Sequence, residues 1–332
     1  MSTTIRLGRR GFLSATLALG VASGFRVAPM SARPVRTSPT PEEFRGRLRG
    51  PIVSIPTPFT ADFKVDYDGL RRMIRRALDK GISIFDLTYG DSQFRSLAYE
   101  EIKDLTRVVA EAVGDKGMTI AGSGPWWTAR AVEFARHAES VGASALEVML
   151  PESGDEDGYV KHFQEIARAT RLPLVLRGKL STELLARLVE IDSVVAMKQD
   201  VTEAYFVETL IHFGHRLNSY SGGSLEWFIV GQPYGAVASF DTYATFAPEI
   251  SLRFWKAVQA NDLDTKREII EKYEHPLISH EYSDPFWHAT LEYFGVAKRY
   301  LRPPQHSFTD EEMQKVKAFY DKLGIYPQKP SS

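Results

Sequence analysis

From Pro51 onward, short apolar runs alternate with stretches whose apolar positions recur at helical spacing. Ile52–Ile55 reads as a strand, and Tyr67–Lys80 as a helix with Leu70, Met73, Ile74 and Ala77 on one face. Gly81 stops that helix as a C-cap glycine would. The alternation continues through strand Ile84–Leu87 and helix Tyr99–Val113, Met118–Ala121 and Thr128–Val141, and Ala145–Leu150 and Tyr159–Thr170. It runs on through Pro173–Leu176 and Thr182–Glu190, Val194–Lys198 and Ala204–Phe213, and Ser219–Ser221 and Leu225–Val230. Ala236–Phe240 and Pro248–Gln259 complete it. The strands are short, apolar and without clear alternation, as strands buried on both faces read. Regular strand–helix alternation implies a parallel sheet. Eight such units favour closure into a (β/α)₈ barrel over residues 51–261. A doubly wound open sheet is the alternative, but no G-x-G-x-x-G stretch follows the first strand. Beyond Asp262 the pattern becomes helical only: Thr265–Tyr273, Pro285–Phe294 and Asp310–Leu323 predict a C-terminal helical extension over 262–325, before a tail at 326–332.

Composition narrows the chemistry. Of 332 residues, 43% are apolar and 25% charged, which is ordinary globular usage. A net charge of −1 gives no reason to expect nucleic acid or an anionic membrane as partner. With no cysteine, disulfides, thiolate metal sites and cysteine nucleophiles are excluded. The eight histidines show neither H-x-x-H nor H-E-x-x-H spacing, so no metal is expected, and no other cofactor.

The first 32 residues read as an export signal. Arg9-Arg10-Gly11-Phe12-Leu13 precedes an apolar, small-residue run to about Ala22, resembling a twin-arginine motif and its h-region. That run is shorter than the roughly 20 residues a membrane-spanning helix needs. The chain is therefore expected in the periplasm or outside the cell, with no stable membrane anchor after cleavage. Residues 33–50, rich in Pro, Ser, Thr and Arg, read as a linker.

An ordered series of segments from about Gly50 to Ile325 resembles the dihydrodipicolinate synthase / N-acetylneuraminate lyase family. Ile55-Pro56-Thr57-Pro58-Phe59 matches its opening V-T-P-F, and Phe94-x-Ser96-Leu97-x-x-Glu100-Glu101 its F-P-S-L-x-x-E-E. Ala121-Gly122-Ser123-Gly124, Ser221-Gly222 and Arg302-Pro303-Pro304 match its A-G-x-G, S-G-D and R-P-P segments. Val195-Ala196-Met197-Lys198 is similar to the G-I-K segment that carries the family's Schiff-base lysine. The resemblance implies a homo-oligomer, a dimer or tetramer, acting on a small carbonyl compound.

Lys198 also stands out without the resemblance. It ends an apolar run of strand length, and the C-terminal ends of barrel strands carry catalytic groups. An amine walled by apolar residues is more often neutral. A neutral amine adds to a ketone and forms a Schiff base. A lysine snorkelling from a strand end to solvent is the bland alternative.

The departures from the family concern the rest of the site. Its G-T-T-G-E segment, which grips an α-keto carboxylate, is here Tyr89-Gly90-Asp91-Ser92-Gln93, so Asp91 stands where a hydroxyl is expected. Its catalytic tyrosine, which ends the fifth strand, is replaced by Arg177. Arginine cannot shuttle protons at neutral pH but can bind an anion bidentately. Its P-Y-Y after the fourth strand is replaced by an acidic loop, Pro151–Asp157. Trp126-Trp127 and Tyr243 lie near the expected mouth as lesser candidates.

These observations point to a class I aldolase or lyase acting on an α-keto acid or sugar-derived carbonyl compound. Lys198 would form the imine and Asp91 would serve as acid or base. Arg177, Ser92, Tyr89, Thr57 and Gly222 would line the substrate site. A Schiff-base dehydratase of a sugar acid is the second reading. A barrel that binds a small anion without turnover is the third.

Overall fold

The computed structural model describes residues 38–222, 224–279 and 283–327. The export signal expected at 1–32 lies outside them. Eight parallel strands close into a barrel: β1 (Gly50–Ser54), β2 (Ile84–Asp86), β3 (Met118–Gly122), β4 (Ala145–Met149), β5 (Leu174–Arg177), β6 (Val194–Gln199), β7 (Asn218–Ser221) and β8 (Ala238–Asp241). Each pairs in parallel with its chain neighbour, and β8 closes on β1 through Gly50–Val53 against Ala238–Asp241. Helices separate the strands and pack on the outside through one large apolar core. The expected barrel is thus present, with a C-terminal helical part from Leu263 to Leu323.

The outer helices form where caps and apolar spacing coincide. In Tyr67–Asp79, Asp66 accepts a hydrogen bond from the Gly69 amide at 2.8 Å and Leu70, Met73, Ile74 and Ala77 face inward. Gly81 follows at φ +89°, a conformation that L side chains resist. The acidic loop after β4 has a local structural use. Asp155 caps the helix Glu156–Ala169 through the Gly158 amide, Glu156 accepts from Ser181, and Asp157 pairs with Arg187.

The stretch read as a linker contains a helix, Pro41–Arg47. Thr40 and Glu43 form a reciprocal capping box at its start. Phe44 and Leu48, one helical turn apart, are fully buried among Ile52, Ile84, Met118 and Ala145. The helix therefore plugs the N-terminal mouth of the barrel. Asn218 at the start of β7 locks it there, donating to the Arg45 carbonyl at 2.6 Å and accepting from the Arg45 guanidinium at 3.2 Å. Two apolar residues at helical spacing suffice for this contact, which the polar composition of the segment conceals.

Candidate active site

Alternation along each strand sends every second side chain into the lumen. The lower positions are apolar: Ile52, Ile84, Ile120, Ala145, Val175 and Ala196. Two residues further along β2, β4, β5 and β6 stand Asp86, Glu147, Arg177 and Lys198. In register beside Lys198 on β7 is Tyr220. The lumen thus changes from apolar to ionisable over one pleat, at the C-terminal end where barrels carry their chemistry.

Lys198 is 1% exposed, with Nζ 3.7 Å from the centroid of the Phe240 ring on β8. Gly222 makes room for it. A Cβ at that position would stand 2.8 Å from Lys198 Cε and 3.1 Å from its Cγ. Arg177 reaches across two strands. It donates to Glu147 Oε1 at 3.1 Å and to Asp200 Oδ2 at 2.9 Å. Burial works against its charge, but the carboxylates of Glu147, Asp200, Asp91 and Asp86 outweigh that and hold the guanidinium above its ordinary range.

Asp86 and Tyr220 meet across the barrel. The Tyr220 hydroxyl donates to Asp86 Oδ2 at 3.0 Å, and both residues are wholly buried. Burial raises the Asp86 carboxyl well above the usual carboxylate range, and the charge of Glu147 adds to this against Lys198 and Arg177. Burial, with the charges of Asp86 and Glu147, also raises the Tyr220 phenol. It therefore stays protonated. Asp86 Oδ1, Glu147 Oε2 and Ser54 Oγ are buried without a hydrogen-bond partner among the described residues. Sequence reasoning singled out none of Asp86, Glu147, Tyr220 and Phe240. A signal existed: Asp86 and Glu147 are lone charges inside runs that otherwise read as buried strand.

The expected carboxylate grip lies at the rim. Thr57 spends its hydroxyl on the Ser92 carbonyl at 2.6 Å. The Ser92 hydroxyl donates to the Ile55 carbonyl at 2.5 Å and accepts from the Thr88 amide at 3.0 Å. These bonds tie the β1 and β2 loops together. Asp91 is half-buried, accepts from the Thr88 hydroxyl at 3.3 Å, and acts electrostatically on Arg177. Tyr89 packs edge-on against Phe94 under the Arg95 guanidinium. The loop ends at Gln93, whose φ of +57° is uncommon for a residue with a side chain.

The lesser candidates are placed as well. Trp126 packs against Tyr99 and Phe134, whereas Trp127 is 61% exposed with the Arg130 guanidinium over its face. The Tyr243 hydroxyl donates to the Tyr273 carbonyl and anchors the C-terminal helices to the barrel mouth. Beside it lies a cavity of about 160 Å³ bounded by Phe240, Asp241, Tyr243, Glu274 and Leu277. Glu274 accepts from the Leu225 and Glu226 amides, and burial raises its carboxyl to about 8 despite those donors. Among the described residues, no group of three or more His, Asp or Glu side chains could hold a metal ion.

Comparison with known proteins places this geometry in context. Residues 47–323 match the model of the Dihydrodipicolinate synthetase family. A 4-hydroxy-tetrahydrodipicolinate synthase of Chlorobaculum parvum is 27% identical over 292 residues, covering 84% of this chain and 98% of that protein. A Streptomyces avermitilis protein named "Probable 5-dehydro-4-deoxyglucarate dehydratase 1" is 24% identical, covering 82% and 93%. Among solved structures, dihydrodipicolinate synthase from Aquifex aeolicus superposes with a TM-score of 0.76 at 21% identity, covering 85% of this chain and all of that one. N-acetylneuraminate lyase from Mycoplasma synoviae gives the same TM-score and identity, covering 85% and 99%. At these identities the structural likeness speaks for the fold. The activities named for the relatives support a lyase-type function. With the match running from the end of the plug helix to the last helix, the chain belongs to the dihydrodipicolinate synthetase family.

Proposed function

We propose that this protein is a Schiff-base (class I) lyase acting on an α-keto acid or a related sugar-derived carbonyl compound. The observation that carries the reading is Lys198, buried at the C-terminal end of β6 with its amine in the lumen against Phe240 and ionisable groups around it. Addition of the neutral amine to a ketone and loss of water yields an imine, which takes up a proton to become an iminium. Its positive nitrogen draws electrons from the adjacent carbon, so a bond there can form or break.

Arg177 is the anchor for the substrate's anionic group. Its guanidinium already holds Glu147, which is 0% exposed, and Asp200, which is 27% exposed. A substrate carboxylate reaches it by displacing Asp200, the partner that can turn to solvent. Such an exchange trades one charge-assisted pair for another. The dehydratase reading draws on the Streptomyces relative and uses the same imine. Elimination of a hydroxyl then replaces carbon–carbon cleavage.

Borohydride trapping tests the proposal. With pyruvate and a panel of sugar-derived keto acids, reduction should leave a mass adduct on Lys198, and Lys198→Ala should leave none. A folded wild-type chain that forms no adduct with any of them would remove the lyase reading. Gly222→Ala offers a finer check. The added methyl overlaps Lys198 Cε, so the amine must move, and adduct formation should slow by about 100-fold, as for a reacting group misplaced by roughly 1 Å. An unchanged trapping rate would mean that the lysine does not react from the position described.

A further inference from the structure

We propose that Asp86, held by Tyr220, is the acid–base group that moves the proton at the carbon next to the Lys198 imine. The inference rests on the Schiff-base reading above. It answers a gap that this chain's own residues create: the position expected to hold the family's tyrosine holds Arg177, locked between two carboxylates and permanently protonated.

Asp86 ends β2, points into the lumen above Ile84, and is wholly buried. One of its oxygens is fixed by the Tyr220 hydroxyl at 3.0 Å, and the other has no partner among the described residues. A carboxyl with one oxygen pinned and one unengaged is an oriented proton acceptor. Tyr220 is Lys198's register neighbour on β7, so the pair spans the lumen from the lysine's side to β2. The Lys198 charge acts on Asp86 directly. Glu147 also keeps one oxygen without a partner. However, it is bound to the permanent cation of Arg177, whereas Asp86 faces a neutral phenol. Burial and the charge of Glu147 raise the Asp86 carboxyl, so its carboxylate, formed beside the positive iminium, is a stronger base than usual and can later return the proton.

In the iminium, the former carbonyl carbon is doubly bonded to Lys198 Nζ, which carries the positive charge. Asp86 Oδ1 removes a proton from the adjacent carbon. The C–H electron pair becomes a C=C bond and the C=N pair returns to nitrogen. The products are a neutral enamine and a protonated Asp86. Reversal returns the proton to carbon and restores the carboxylate. Asp86 would touch the reacting atom, and Tyr220 is a positioning residue.

The experiment uses the full chain with pyruvate in deuterated water. Exchange at the methyl carbon is followed by NMR, and the adduct on Lys198 by borohydride trapping. Wild type should show both. Asp86→Asn should keep the adduct and lose exchange by about 100-fold or more, the scale of a general base. It should be no less stable to urea, because an isosteric amide removes a buried carboxyl. Tyr220→Phe keeps the ring and should lower exchange to a lesser degree with the adduct retained. It serves as the deciding variant if Asp86→Asn does not fold. Full exchange in Asp86→Asn, or in Tyr220→Phe where Asp86→Asn does not fold, would overturn the assignment while leaving the lysine's role intact. Absence of an adduct in wild type would instead remove the Schiff-base reading and this one with it.

Discussion

Arg177→Ala is expected to destabilise the folded chain by about 3–5 kcal/mol, the cost of leaving one member of a buried ion pair alone. The cost arises at Glu147 rather than at the arginine. Glu147 is 0% exposed, and among the described residues its carboxylate bonds only to Arg177. Without the guanidinium, its carboxylate would face a low-dielectric lumen that already contains Asp86 and has Asp91 at its rim. Asp200, at 27% exposure, can turn to water and loses less. The measurement is a urea titration, read as a lower midpoint at an unchanged slope. The double variant Arg177→Met/Glu147→Gln should recover most of the loss, because it removes the charge that was stranded as well as its partner. A loss below about 1 kcal/mol for Arg177→Ala, the range of exposed pairs, would mean that solvent already reaches Glu147.

Phe44→Ala should be comparably costly, about 3–5 kcal/mol. Phe44 is wholly buried against the floor of the barrel, in contact with side chains from several strands. Deleting the ring opens a void that the eight strands cannot close around, since their spacing is set by backbone hydrogen bonds. Thr40→Ala, which removes the helix cap alone, should cost only about 1 kcal/mol. The ordering of the two distinguishes a plug that belongs to the cooperative core from a helix merely resting on it. If Phe44→Ala and Thr40→Ala were equal and small in urea titration, the plug would unfold independently of the barrel.

These two variants mark where sequence and structure part. Eight strand–helix units, the Gly81 cap and the C-terminal helices were legible because each rests on local spacing. Apolar positions repeat every second or every third to fourth residue, and polar residues end the helices. Lys198 was legible for a related reason. A charge at the end of an apolar strand of a parallel barrel has one mouth to face. The helix Pro41–Arg47 was not, because a stretch of Pro, Thr, Glu and Arg carries only Phe44 and Leu48 as signal. Its burial depends on the barrel floor that it meets.

Thr57 and Ser92 teach a similar lesson. The residue types suit a carboxylate grip, yet their hydroxyls are bonded to the Ser92 and Ile55 carbonyls. Whether a hydroxyl remains available depends on which backbone group closes on it, and that is settled between loops 35 to 37 residues apart.

The sequence by itself thus determined the barrel, the order of its strands and the end of β6 as the place of a lumen-facing lysine, because period and order along the chain suffice for these. Only the tertiary structure decided which groups surround that amine. Asp86 and Tyr220 are 134 residues apart, and Arg177 and Glu147 are 30. Each pair meets because the sheet closes on itself and its register sends both side chains to the same height in the lumen. No local pattern contains that register, since it is fixed by the hydrogen bonding of all eight strands at once.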